Sequence, residues 1–123
     1  MKKVLILDGD LHFANTLKMY FRKVEFEPII STDANELDDL FHEHQFDVIL
    51  CNTQVAHKSG VEIIGTIRKK FPVKNASMIL ITPNNNLSMN ASYAELDVDA
   101  ILHKPISFQN LMKTIEEVST SKI

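Results

Sequence analysis

Four short apolar runs, at residues 4–7, 48–51, 78–81 and 100–102, give way to polar side chains at Asp8, Asn52, Thr82 and, one residue past His103, Lys104. Runs of this length, bounded by charge or turn formers, read as strands buried on both faces. Between them lie stretches whose apolar residues fall three or four apart, the spacing of one helix face. Strand, helix, strand at such separations demands parallel strands joined by right-handed crossovers. The chain is thus expected to form one doubly wound α/β domain over residues 1–123, with five strands alternating with five helices.

The elements follow in order. Asp10 is placed to cap a first helix whose apolar side is Leu11, Ala14, Leu17, Phe21 and Val24. Pro28-Ile29-Ile30 is a short second strand, with Pro28 at its start or on an edge. Asp33 and Glu36 have the spacing of a capping box for a second helix, which buries Ala34, Leu37, Leu40 and Phe41. Asp38 and Asp39 read as solvent-facing charges. His42 and His44, two apart on that helix, do not share a face and so make no metal pair.

A loop over residues 54–59 precedes Gly60. The third helix then carries Val61, Ile64, Ile67 and Phe71 on one face and stops at Pro72. After the fourth strand, Pro83-Asn84-Asn85-Asn86 is a loop of turn formers, and a weak fourth helix covers residues 87–96. Ser107 caps the last helix, whose apolar side is Phe108, Leu111, Ile115 and Val118.

Bulk properties narrow the function classes. A net charge of −3, a pI near 5.9 and only short, separated basic clusters argue against a nucleic-acid surface. The single cysteine, Cys51, excludes an intramolecular disulfide and sits inside an apolar run, as a core residue does. Met1-Lys2-Lys3 resembles the start of a signal sequence, but Asp8 and Asp10 cut the apolar run short. No run approaches the ~20 apolar residues that span a bilayer. A cytoplasmic protein is the expectation.

In an open parallel sheet the carboxyl ends of the strands share one edge, where ligands bind. Asp8, Asp10, Asn52, Thr82 and Lys104 should therefore meet there. This brings two acids, an amide, a hydroxyl and an ammonium into one crevice.

Four segments, in order and over the whole chain, resemble the receiver domain of bacterial two-component response regulators, the CheY-like superfamily. Leu5-Ile6-Leu7-Asp8-Gly9-Asp10 is similar to the acidic motif after the first strand. Asp47-Val48-Ile49-Leu50-Cys51-Asn52, with Gly60 eight residues on, resembles the phosphoacceptor segment. Ile79-Leu80-Ile81-Thr82 resembles the strand that ends in the switch hydroxyl. Asp99-Ala100-Ile101-Leu102-His103-Lys104-Pro105 resembles the segment with the family's lysine and proline, where a cis peptide is common.

The resemblance implies a three-layer (βα)5 flavodoxin-like fold with strand order 2-1-3-4-5. It also implies a signalling module rather than an enzyme. In that family an aspartate at the end of strand three takes a phosphoryl group from a histidine kinase. Mg²⁺, held by that aspartate and by acids after strand one, offsets the incoming charge. The lysine and hydroxyl bind the phosphoryl oxygens, and an aromatic residue on strand five rotates to reshape the face of helix four, strand five and helix five.

Three positions depart from this pattern. Asn52 stands at the phosphoacceptor, and an amide is no nucleophile for acyl-phosphate chemistry. Gly9 stands where the second metal-binding acid is expected, and Ile101 replaces the switching aromatic. Asp10 holds a position that in the family more often caps the first helix. Asp8 with the backbone carbonyl at Gln54 is a poor offer to Mg²⁺, so no cofactor is expected. Lys104 is left to pair with Asp8 or to donate to the Asn52 side-chain oxygen.

The leading expectation is a pseudo-receiver that keeps the fold, has lost phosphorylation and works through protein partners. The competing one is a conventional receiver in which Asn52 is an engineered or variant acceptor, though this leaves Gly9 and Ile101 unexplained. A small flavodoxin-like ligand binder or enzyme would need a phosphate-cradling glycine loop, which three glycines do not supply. Partners, including a second copy, are expected on the face of helix four, strand five and helix five, with Met89, Tyr93, Ile101, Met112 and the Asn84-Asn85-Asn86 loop as candidates.

Overall fold

The computed structural model describes residues 1–56, 58–83 and 97–120. Its elements are β1 (Lys2–Leu7), α1 (Leu11–Lys23), β2 (Phe26–Ser31), a 3-10 turn (Ala34–Glu36), α2 (Leu37–Glu43), β3 (Val48–Asn52), β4 (Gln54–Val55), β5 (Lys58–Ser59), α3 (Gly60–Lys70), β6 (Ser77–Thr82), β7 (Ala100–His103) and α4 (Phe108–Thr120).

β2, β1, β3, β6 and β7 lie side by side in that order, all parallel. This is the expected α/β receiver topology, with the main strands in order 2-1-3-4-5. Alternation along each strand divides the core. Leu5, Leu7, Ile49, Cys51, Met78 and Leu80 pack with Leu37, Ile63, Ile64 and Ile67 of α2 and α3. Val4, Ile6, Val48, Leu50, Ile79 and Ile81 pack with Ala14, Leu17, Phe21, Leu111 and Ile115 of α1 and α4. Both faces are covered, so the strands are continuously apolar rather than alternating. Pro28 sits within β2, which is an edge strand and can spare the missing N–H. Among the described residues no helix is long and apolar enough to cross a membrane.

Local details correct four expectations. Residues 54–59 are not a plain loop: β4 and β5 form an antiparallel hairpin, with Ala56 at φ 55°. Val55 anchors it by burying its side chain in the α2–α3 layer. Val61 turns out to solvent, 40% exposed, while Ile63 takes the buried position beside Ile64. Gly60 is the cause: it packs against Asn52 O and lies so close to the strand that an added Cβ would stand 2.9 Å from Thr53 Cα. That contact sets the rotation of α3. Leu11, exposed in the first turn, and Val24, the exposed C-cap, are not part of the buried side of α1, which is Ala14, Leu17 and Phe21.

Asp33 and Glu36 form no reciprocal box. Asp33 caps the 3-10 turn by accepting from the Asn35 N–H at 2.9 Å, while Glu36 accepts from the Ser31 hydroxyl at 3.2 Å. The Asp33 N–H instead donates to Ser31 Oγ. The expected fourth helix and the Asn84-Asn85-Asn86 loop lie outside the described residues.

Candidate functional site

Asp8 follows the last residue of β1, and its N–H continues the ladder to the Ser31 carbonyl at 3.2 Å. The side chain is 2% exposed. A buried carboxylate needs a full set of donors, and Asp8 has one. Its Oδ1 accepts from the Asp10 N–H at 2.8 Å and from Asn52 Nδ2 at 2.9 Å. Its Oδ2 accepts from Lys104 Nζ at 3.3 Å. Lys104 therefore pairs with the acid and not with the amide oxygen.

Asn52 ends β3 with a fixed amide orientation. Its Oδ1 accepts from the Thr53 N–H at 2.7 Å and the Thr53 hydroxyl at 3.3 Å, while Nδ2 faces Asp8. The flipped amide would set oxygen against carboxylate and nitrogen against N–H, losing both contacts. A carboxylate in place of this amide would face Asp8 with nothing between them.

Asp10 belongs to the neighbouring helix. Its Oδ1 accepts from the Phe13 N–H at 3.1 Å as the N-cap of α1, and only its backbone N–H enters the cluster. The expected two-acid remnant thus contains one buried acid. Gly9 adds no donor oxygen, although an added Cβ would meet only Ala56 N at 3.5 Å, an ordinary contact.

Thr82 is buried at the end of β6, and its carbonyl accepts from the Lys104 N–H at 2.8 Å. The Lys104–Pro105 peptide is cis. The Lys104 ammonium also sits 3.9 Å from the centroid of the Phe13 ring, a cation–π distance. Gln54 is exposed on β4.

Two participants escape a sequence reading. Thr53 fixes the Asn52 oxygen, and a Thr directly after a strand-end Asn is a signal that side-chain-to-backbone bonding offers. Phe13 seats the lysine ammonium. It lies three residues past the N-cap Asp10, but nothing local marks it as facing residue 104.

Two of the four interface candidates, Ile101 and Met112, are among the described residues. Ile101 is half-buried against the α2–α3 layer. Met112 packs in the α1–α4 layer and lines a depression of about 770 Å³ with Val24 and Phe26. The two are on opposite faces of the sheet, because Ile101 and the α4 residues belong to different layers. Met89 and Tyr93 lie outside the described residues.

The cluster does not fit Mg²⁺, which needs several hard oxygens at once. Asp8 is its one buried carboxylate, with three donors already on it. Among the described residues no group of three His, Cys, Asp or Glu is placed to hold a metal ion.

Known proteins share the fold. A CheY-like response regulator receiver domain protein from Methanospirillum hungatei JF-1 superposes with a TM-score of 0.86 at 21% identity, covering 99% of this chain and 96% of that one. The response regulator TrrA of Thermotoga maritima, in complex with Mg²⁺ and BeF, gives a TM-score of 0.80 at 24% identity, covering 96% and 99%. The chemotaxis protein CheY4 of Vibrio cholerae gives 0.86 at 20%, covering 96% and 98%. Residues 4–116 match the profile of the response regulator receiver domain, and the chain belongs to that family.

Proposed function

We propose that this receiver is a phosphorylation-independent pseudo-receiver, a single domain over residues 1–123 that signals through protein–protein contact. The observation that carries this reading is the 2.9 Å hydrogen bond from Asn52 Nδ2 to Asp8 Oδ1. The acceptor position is not merely non-nucleophilic. Its amide supplies a donor that, with Lys104, satisfies the buried acid from within the protein.

A receiver site in this state has no need of a cation to offset charge, and it offers no carboxylate to a phosphoryl group. Gly9 and Ile101 fit the same reading: metal ligation and aromatic switching are missing along with the acceptor. Half-buried Ile101 on the edge strand β7 remains a candidate partner contact, held without ring rotation.

The test is phosphoryl transfer from a small phosphodonor in millimolar Mg²⁺. The wild type takes no label. Asn52→Asp alone stays poorly labelled, and Gly9→Asp with Asn52→Asp gains labelling. Efficient Mg²⁺-dependent labelling of the single Asn52→Asp variant favours instead a conventional receiver with a substituted acceptor. Labelling of the wild type on any side chain of the cluster sinks the proposal.

A further inference from the structure

A groove of about 530 Å³ runs between α1 and the segment leading into α4. One wall is a stripe of α1, where Phe13, Thr16 and Tyr20 keep the spacing of a single helix face. The facing wall is Ile106 and Phe108, with Pro83 and Pro105 beside them. The volume lies within the roughly 300–1,000 Å³ of small-molecule pockets, which are likewise lined by apolar and aromatic side chains with a few polar groups. From Phe13 to Tyr20 the helix rises about 10 Å, the span of a short fused-ring system.

The aromatic lining is held in place by the protein itself. Phe108 stands edge-on to fully buried Phe21, with centroids 5.0 Å apart and an angle of 83°. Tyr20 stacks on Phe108 at 5.1 Å and 20°. The Phe13 ring carries the Lys104 ammonium 3.9 Å from its centroid. Rings fixed in this way lose little freedom when a ligand enters, and their faces and edges favour another ring. An extended peptide finds less here. Pro83 and Pro105 have no N–H, and the α1 backbone is bonded within its own helix.

The charges in the groove indicate the charge of its ligand. Lys104 is engaged by Asp8 Oδ2 at 3.3 Å as well as by the Phe13 ring. Asp10 accepts from the Phe13 N–H at 3.1 Å and sits at the positive end of the α1 dipole. One cation and one anion therefore line the same groove, each compensated from within the protein. A carboxylate entering it meets Asp10 and an ammonium meets Lys104. Either gives up water for a partner already engaged. His12 at the rim and Lys23, 5.8 Å from the Tyr20 ring, are both exposed to solvent and bring no buried charge. Hydroxyls supply the polar contacts instead. Tyr20 is 45% exposed, and the Thr16 oxygen, whose proton goes to the His12 carbonyl at 3.0 Å, is left as an acceptor.

We infer that this groove is a binding site for a small, uncharged aromatic molecule. Its ring system lies between Phe13 and the Tyr20–Phe108 pair, and its polar group meets the Tyr20 or Thr16 hydroxyl. The site is separate from the acceptor position, which it adjoins at Lys104, so its test is independent of the phosphorylation reading.

The experiment titrates the full chain with three probes on one ring frame, naphthol, naphthoate and naphthylmethylammonium, and follows backbone amide shifts by heteronuclear NMR. The expected result is saturable binding of naphthol with a dissociation constant of about 1 mM or tighter, with shifts at residues 13–20 and 106–108. The two charged probes bind about tenfold more weakly. Thr16→Trp, which fills the groove from its α1 wall, weakens naphthol by about tenfold or more, and Ile106→Trp repeats this from the facing wall. Asn15→Trp, exposed on α1 and outside the groove, leaves the affinity unchanged. Circular dichroism melts confirm that each variant is folded.

Absence of saturable shifts at these residues up to the solubility limit of naphthol overturns the inference. So does tighter binding of either charged probe, or a naphthol affinity indifferent to both Thr16→Trp and Ile106→Trp. Shifts at the same residues that follow dilution of the protein rather than the probe would put a second copy in the groove and overturn it as well.

Discussion

The side-chain amide of Asn52 and the carboxylate of Asp8 are partners: Nδ2 donates to Oδ1 at 2.9 Å, and the other Asp8 oxygen takes the Lys104 ammonium at 3.3 Å. The amide, the cation and the Asp10 N–H, which donates to Oδ1 at 2.8 Å, together close the hydrogen-bonding of one buried acid.

Asn52→Asp turns this donor into a second carboxylate. The variant loses a hydrogen bond to a charged group and gains like-charge repulsion, each worth about 1–3 kcal/mol. Its melting temperature in chelator should fall by about 8 °C or more, at roughly 4 °C per kcal/mol for a chain of this size. Millimolar Mg²⁺ should recover part of that loss in the variant and leave the wild type unmoved. A thermal melt of both proteins with and without Mg²⁺ decides it. A wild type stabilised by Mg²⁺ as much as the variant would contradict the donor-set argument.

Lys104→Met removes the cation from an acid that is 2% exposed. Breaking a buried pair from one side costs about 3–5 kcal/mol, because the remaining charge has lost its partner. Replacing Asp8 by Asn in the same chain relieves most of that cost. Denaturant unfolding of Lys104→Met, Asp8→Asn and the double variant should therefore be strongly non-additive. Additive losses would mean that Lys104 is held chiefly by the Phe13 ring and only incidentally by Asp8.

The pair itself was legible because topology, not proximity in the chain, brings strand ends together. Asp8, Asn52, Thr82 and Lys104 each follow an apolar run whose length and composition are local facts. What stayed hidden depends on packing between elements. The Phe13 ring beneath Lys104 requires knowing how α1 lies against the loop after β7. The β4–β5 hairpin exists because Val55 finds a buried place between α2 and α3, and a polar-looking six-residue loop gives no hint of that. Spacing alone put Val61 with Ile64 and Ile67. Equal spacing allows Ile63 instead, and the close approach of Gly60 to Asn52 and Thr53 selects it. Asp33 and Glu36 have the right separation for a capping box, but the Ser31 hydroxyl stands between them, accepting from the Asp33 N–H at 3.3 Å and lying within hydrogen-bond distance of the Asp33 carbonyl and the Glu36 carboxylate.

Gly60 offers a direct check on that approach. Its N–H donates to the Thr53 carbonyl at 2.6 Å, and the contacts an added Cβ would make are with backbone, which has little freedom to give way. Gly60→Ala should destabilise by about 2–3 kcal/mol, even though alanine is the better helix former. Gly65, with nothing near its ideal Cβ, is the control, and Gly65→Ala should be neutral to stabilising by up to about 1 kcal/mol. Equal effects of the two substitutions in urea unfolding would refute the close packing of α3 on the end of β3.

Cys51 supplies a pH signature. Burial, and to a smaller extent the Asp8 charge, push its thiol up from 9.0 to about 12. Between those values the unfolded chain releases the thiol proton while the native chain keeps it, so the native state binds more protons and stability falls as pH rises. The contribution is intact below pH 9.0 and is lost progressively toward about 12, at a slope of at most about 1.4 kcal/mol per pH unit. Cys51→Ala should flatten this alkaline loss, after allowance for the small cavity it leaves. The wild-type thiol should also resist alkylation at pH 8 until the protein is unfolded by denaturant. Rapid alkylation of the folded protein, or the same alkaline slope in Cys51→Ala, would show that the thiol is not held in the core next to the Asp8 cluster.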